Sequence, residues 1–406
     1  MRISQRAQRI EPFYVMELAK AASDMAARAQ PGDRRMIRLN IGEPDFTAPP
    51  LVQAAAERAI RSGRSQYTDA TGLPALREAI SGWYASRFGL RIDPARIVVT
   101  AGASAALQLA CLALIEAGDE VLMPDPSYPC NRQFVQAAEG KAVLIPSGPA
   151  KRFQLSAAQV EQAWGPATRG VLLASPSNPT GTSIARNELE RIARFVRAKG
   201  GVTLVDEIYL GLSYEDAYGH SALGLPDGLG DEVISINSFS KYFNMTGWRL
   251  GWLVLPPALV PAVERLAQNL FICASTIAQH AALACFAPES LAEYERRRAE
   301  FKARRDWFIP ELNRLGLNVP VMPDGAFYAW ADVRDLCERW GIPLQGQNGE
   351  PGGGWTLAFE LMRRCQIAAT PGRDFGQAEP QNWLRFSTAN AMPQLQEAVA
   401  RIEAAL

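Results

Sequence analysis

Gly201-Val202-Thr203-Leu204-Val205-Asp206 and, further on, Val233-Ile234-Ser235-Ile236-Asn237-Ser238-Phe239-Ser240-Lys241 decide the reading of this chain. Each is a short apolar run closed by small polar and charged residues, without the strict alternation of a half-exposed strand. Such near-continuous Val, Ile and Leu marks strands covered on both faces. Around the strands read at 202–206 and 232–237, five more runs share the character, at 97–100, 120–123, 142–145, 170–174 and 250–255. Helical patterns fall between several of them, such as Ser104–Glu116 before Gly118 and Asn187–Lys199 before Gly200-Gly201. The pattern predicts an α/β fold on a mainly parallel seven-stranded sheet.

The last third changes character. Ser290–Leu315 reads as one long helix opened by a capping box from Ser290 to Glu293. Shorter strand and helix signals follow, which predicts a second, smaller α+β domain. Residues 341–355, GIPLQGQNGEPGGGW, read as a Gly-rich loop and a disordered surface insertion within it.

Composition narrows the function. Lys plus Arg total 42 and Asp plus Glu total 42, so no basic excess supports nucleic-acid or membrane-surface binding. No apolar run is long enough to span a bilayer. The Arg-rich start MRISQRAQRI lacks an apolar core and meets acids at Glu11, Glu17 and Asp24, so the expected compartment is the cytoplasm. The 6 cysteines are scattered without a C-x-x-C pair, as reduced thiols would be. With only 2 histidines, far apart, a His-based metal site or a Ser-His-Asp triad has little to build on, and no metal is expected. Acid–base work would fall on Lys, Tyr or a carboxylate.

Lys241 follows a strand, where α/β folds place ligands beyond the carboxyl end. Phe239, Tyr242 and Phe243 offer apolar surroundings, which lower a lysine's pKa and make it a nucleophile toward carbonyls. Asp206 ends another strand; alone it reads as a cap on the next turn, but a carboxylate there can also keep a heterocyclic nitrogen protonated. Tyr209 lies three residues on, near enough to offer its phenol. Ser175-Pro176-Ser177-Asn178-Pro179-Thr180-Gly181 is a turn that places Asn178 as a donor at the same edge. Gly102-Ala103-Ser104 opens a helix, and small residues at a helix N-terminus suit an anion. Arg249 is read as starting the next strand. Arg385 lies in the apolar run Leu384-Arg385-Phe386, where an unpaired charge is costly. An internal salt bridge and a two-point grip on a substrate carboxylate are equally open to it.

In order, Asn40-Ile41-Gly42-Glu43-Pro44-Asp45-Phe46, Tyr67-Thr68, Gly102-Ala103-Ser104, Asp125-Pro126-Ser127-Tyr128, Asn178-Pro179-Thr180-Gly181, Asp206-Glu207-Ile208-Tyr209, Ser238-Phe239-Ser240-Lys241, Gly247-Trp248-Arg249 and Leu384-Arg385-Phe386 span nearly the whole chain. Together they resemble the class I/II aminotransferases of the fold type I enzymes that use pyridoxal 5'-phosphate. The resemblance implies a large cofactor-binding domain over 49–290. It adds a smaller domain over 291–406, to which the arm 1–48 contributes. It implies that Lys241 holds the cofactor as a Schiff base and that Asp206 pairs with its ring nitrogen. Asn178 and Tyr209 would bond the ring's phenolic oxygen, and Tyr128 would stack on the ring. Gly102, Ala103, Ser104, Ser238 and Arg249 would hold the phosphate, and Tyr67 would reach the phosphate of a neighbouring subunit in a homodimer. Arg385, aided by Gly42 and Asn178, would clamp the substrate's α-carboxylate. The Asn178–Pro179 bond is expected cis by the same analogy.

The segment 269–276 lacks the arginine that aspartate-type relatives use for a second carboxylate, while Phe13, Tyr14 and Met16 could cover an apolar side chain. Both lean toward neutral or apolar amino acids, while an Arg or Lys elsewhere could still meet a second carboxylate and leaves glutamate open as a donor. A lyase acting on β C–S bonds, or a synthase, on the same fold would keep the same cofactor residues, so it stays open here. A cofactor-sensing regulator would need a DNA-binding domain before Asn40, for which this sequence leaves no room.

Overall fold

The structure is a computed structural model that describes residues 2–12, 14–28, 30, 34–346 and 352–406. Its strands are β1 (Ile37–Arg38), β2 (Ile97–Thr100), β3 (Glu120–Asp125), β4 (Lys141–Pro146), β5 (Thr168–Ala174), β6 (Val202–Asp206), β7 (Ile234–Ser238), β8 (Gly251–Val254), β9 (Tyr328–Asp332), β10 (Ile367–Ala368), β11 (Thr370–Pro371) and β12 (Trp383–Ser387). Seven of them form one sheet in the order β2-β8-β7-β6-β5-β3-β4. Only β8 runs antiparallel to its neighbours.

The apolar runs read as they do because both faces are covered. Leu172, Leu204, Ile236 and Leu253 pack on one side with the helix Ala103–Leu114. Val171, Leu173 and Val205 pack on the other with the helices Ala157–Ala163 and Arg186–Ala198. At about 25 cal/mol per Å² of apolar surface, such two-sided burial dominates the stability of the sheet. The run expected at 232–237 shifts to β7, because Leu229–Glu232 closes a short helix before it.

A second core gathers a three-stranded antiparallel sheet, β11-β12-β9, and the short parallel pair β1-β10. The helix Tyr14–Ala27 joins it through Leu18 and Ala22, one helical turn apart. The helix Pro288–Arg314 adds Phe308, Ile309 and Leu312.

Two local expectations are corrected. The long helix starts at Pro288, not at Ser290, because a proline is pre-set for the first helical position and loses no needed N–H there. Ser290 is then inside the first turn with its hydroxyl unpartnered, and Glu293 pairs with Arg296 and Arg297 instead of closing a capping box. The Gly-rich stretch is not one surface loop. Gly353, Gly354 and Trp355 belong to the helix Gly353–Cys365, and both glycines are buried against the backbone of Gln381 and Trp383, where no side chain would fit. Residues 347–351 of that stretch lie outside the described residues. Among the described residues no helix is long and apolar enough to cross a membrane.

Candidate active site

The carboxyl ends of β5, β6 and β7 open onto a cavity of about 290 Å³. From this edge come Asn178, Asp206, Tyr209, Ser238 and Lys241, joined by Ala103, Ser104, Tyr128 and Arg249, while Gly42 and Arg385 enter from the other core. Gly102 stands just behind, at φ +87, as the N-cap of the helix Ala103–Leu114. A Cβ there would come within 2.6 Å of the Arg249 guanidinium, so only glycine lets the arginine lie over the helix end. That end has no side-chain cap. Its free N–H groups, with Ser104, Ser238 and Arg249, make a seat for an anion. Arg249 does not begin a strand. It follows a 3-10 turn at φ +53, and β8 starts two residues later.

Lys241 is half-buried, and its Nζ donates to the Gly42 carbonyl at 2.5 Å. Burial lowers its pKa from 10.5 to about 8; Arg385 and Arg249 add to the fall, and Glu43 and Asp206 oppose it. The amine lies 5.9 Å from the centre of the Tyr209 ring and 6.0 Å from that of Phe327. Phe239, Tyr242 and Phe243, expected around the amine, instead pack below it with Trp83, Trp252 and Tyr294 and anchor the segment. Asp206 is buried, accepts from the Ile208 N–H at 3.1 Å, and is pushed up by that burial from 3.8 to about 6. The Asn178–Pro179 bond is cis.

Arg385 owes its position to the pleat of β12. Leu384 and Phe386 point into the second core, so Arg385 between them points to the opposite face and into the cavity. It is 4% exposed. Its Nη1 donates to Asn178 Oδ1 at 2.8 Å, and its Nη2 to the Asn40 carbonyl at 2.8 Å and Thr370 Oγ1 at 3.3 Å. Its Nε has no partner. Among the described residues no carboxylate forms an ion pair with it within 4.0 Å, so the internal salt bridge left open above is not there. A buried cation held only by neutral groups is suited to an incoming anion.

Tyr67 stands apart, 79% exposed and outside this cavity. Of the arm residues, Met16 lines the cavity with Val15 and Ala19, whereas Tyr14 turns away under the guanidinium of Arg373 and against Trp355. Phe13 lies outside the described residues. The residue that sequence reasoning missed is Tyr328. It lines the cavity, is buried, and bonds Tyr209 through the two hydroxyls at 2.6 Å. Its signal was the alternation Tyr328-Ala329-Trp330-Ala331, which puts Tyr328 on the face of β9 opposite the core alanines.

An anion seat, a lysine with a lowered pKa and a buried carboxylate, set along one sheet edge, define a site for a phosphate-bearing carbonyl cofactor. The comparisons agree. The family described as Aminotransferase class I and II matches residues 34–402, and the chain belongs to that family. It is 37% identical over 395 residues to a valine–pyruvate aminotransferase of Mycobacterium tuberculosis, covering 97% of this chain and 96% of that protein. It is 34% identical to an aspartate aminotransferase of Streptomyces avermitilis, over 96% of this chain and 94% of that one. A crystal structure of an aminotransferase from Mycobacterium tuberculosis superposes with a TM-score of 0.90 at 36% identity, covering 100% of this chain and 99% of that chain. The fold is fold type I, the enzyme is an aminotransferase, and its family depends on pyridoxal phosphate. The lyase alternative is not favoured.

Proposed function

We propose that this site moves the amino group of a neutral or apolar L-amino acid to a 2-oxo acid, with Arg385 as the seat of the α-carboxylate. The observation that carries it is a buried guanidinium without an anionic partner among the described residues, in one cavity with Lys241 and Asp206. The residues present fit pyridoxal phosphate. The uncapped helix end with Ser104, Ser238 and Arg249 would hold its phosphate, and Tyr67 of a second copy would reach the same group. Asp206 would face its ring nitrogen, Asn178 and Tyr209 its phenolic oxygen, and Tyr128 its ring. When bound, this cofactor supplies a carbonyl that joins amines and a ring that withdraws electrons from the attached carbon.

The chain's own groups do the rest. Asp206 would hold a proton on the cofactor's ring nitrogen. Arg385 and Asn178 fix the carboxylate, which orients the Cα–H bond toward Lys241. The amine of Lys241, neutral in part near pH 8, would take the proton from Cα and hold it for return to carbon. The apolar side chains of Val15, Met16, Ala19 and Leu107 along the cavity favour an apolar substrate side chain.

Two features support the choice of substrate. The segment 269–276 carries no arginine, and the relative from Mycobacterium tuberculosis is named for valine and pyruvate. With pyruvate as acceptor, kcat/KM for L-valine should exceed that for L-aspartate. Arg385→Lys should raise the KM of L-valine roughly 10-fold through loss of the two-point grip. An enzyme that prefers L-aspartate, or a KM that the substitution leaves unmoved, would reject the reading.

The same reading includes a homodimer, the division 1–48, 49–290 and 291–406, and a cytoplasmic setting. Exposed Ile60, Leu270 and Ile272 alongside Tyr67 support the homodimer. Pairing of β1 with β10 supports assigning the arm to the smaller domain. Six free cysteines support the compartment.

A further inference from the structure

We propose that Tyr328 is a positioning residue that joins the two halves of the site, its ring bracing Arg385 and its hydroxyl holding Tyr209. The placement follows from strand register. β12 pairs with β9 so that Arg385 faces Trp330 and Ser387 faces Tyr328. Tyr328 is therefore the diagonal neighbour of Arg385 on one sheet face, within reach of a long side chain. The guanidinium carbon lies 4.5 Å from the Tyr328 ring centroid and 4.9 Å from that of Phe375. Hydrogen bonds to Asn178, Asn40 and Thr370 fix the guanidinium's edge, and the rings support its faces.

The hydroxyl has separate work. It meets the Tyr209 hydroxyl at 2.6 Å, and it lies so close to Gly42 that a Cβ there would collide with it. The Gly42 carbonyl in turn accepts a hydrogen bond from Lys241 Nζ. When Tyr328 donates to Tyr209, the proton of Tyr209 is left for an acceptor oxygen in the cavity, and a hydroxyl that accepts one bond donates the next more strongly. One buried side chain thus touches the carboxylate seat, the backbone beside the lysine and the phenol beside the cofactor.

The assignment rests on Arg385 as the carboxylate seat, and the test separates the two. Tyr328→Leu, Tyr328→Phe and Arg385→Lys are compared as holoenzymes with L-valine. Tyr328→Leu removes the ring and should raise KM roughly 10-fold with kcat changed less. Tyr328→Phe keeps the ring and should hold KM within about 2-fold. It should shift the pH midpoint of the resting holoenzyme's visible absorption upward by roughly 0.3 unit, because Tyr209 becomes a weaker donor. Glu43, Arg385, Arg249 and Asp206, the charged groups around Lys241, are unchanged in both Tyr328 variants. An unmoved KM in Tyr328→Leu, an equal KM rise in Tyr328→Phe, or an unmoved midpoint overturns the proposal. Should the leucine variant not fold, the two phenylalanine readings decide it. If Arg385→Lys raises KM and Tyr328→Leu does not, only the role of Tyr328 falls; if neither raises it, the carboxylate seat falls first.

Discussion

The edge of the large sheet and the face of the small one meet at this cavity by different means. Asp206, Asn178, Ser238 and Lys241 close strands or the turns just after them, so two-sided burial of β5, β6 and β7 fixes them through the backbone. Arg385 and Tyr328 stand mid-strand on a three-stranded antiparallel sheet, fixed by pleat and register and by one another. The first arrangement is suited to a group that stays, the second to a substrate that comes and goes. Damage to the sheet edge should therefore abolish chemistry, and damage to the small sheet or the N-terminal helix should change recognition.

The largest expected effect is at the edge. Lys241→Ala should remove turnover. Loss of a general base alone costs roughly 10²–10⁴-fold, and the covalent tether goes with it. Full activity in the purified variant would break the comparison. Next is the pH dependence of loading. Only the neutral amine attacks a carbonyl, so the rate at which apoprotein takes up pyridoxal phosphate should rise with pH and level off above about 8. An ordinary lysine at 10.5 would load roughly 300-fold more slowly at neutral pH and keep accelerating beyond pH 9. A midpoint near 10 by stopped-flow absorbance would contradict the buried setting of Lys241. The smallest effect is at the N-terminal helix. Val15→Ala should lower kcat/KM for L-valine by a factor of about 3–10 and leave that for L-alanine nearly unchanged. Equal losses for both donors would assign Val15 to stability and not to recognition.

The same division shows in what the sequence disclosed. Lys241, Asp206 and Asn178 were legible because each closes an apolar run, and a strand's carboxyl end is a place where chemistry collects. Arg385 was legible as a charge in an apolar run, but only its contacts in the fold show that no carboxylate among the described residues pairs with it. Tyr328 left only the alternation Tyr328-Ala329-Trp330-Ala331 as a trace, since an aromatic in an alternating strand reads as core until its neighbours across the sheet are known. Tyr14 was placed over the substrate because it is near in sequence to Met16, but its ring is held by Arg373 and Trp355. The capping box failed for a local reason, a proline two residues earlier that starts the helix first. Long-range pairing, which local pattern does not carry, accounts for most of the misses.

The most direct test is a single-turnover reaction of the holoenzyme with L-valine and no acceptor, with products counted per site. The account predicts one equivalent of the 2-oxo acid, no ammonia, and a second burst only after pyruvate is added. Continued release of ammonia without an acceptor, or no 2-oxo acid at all, would contradict it.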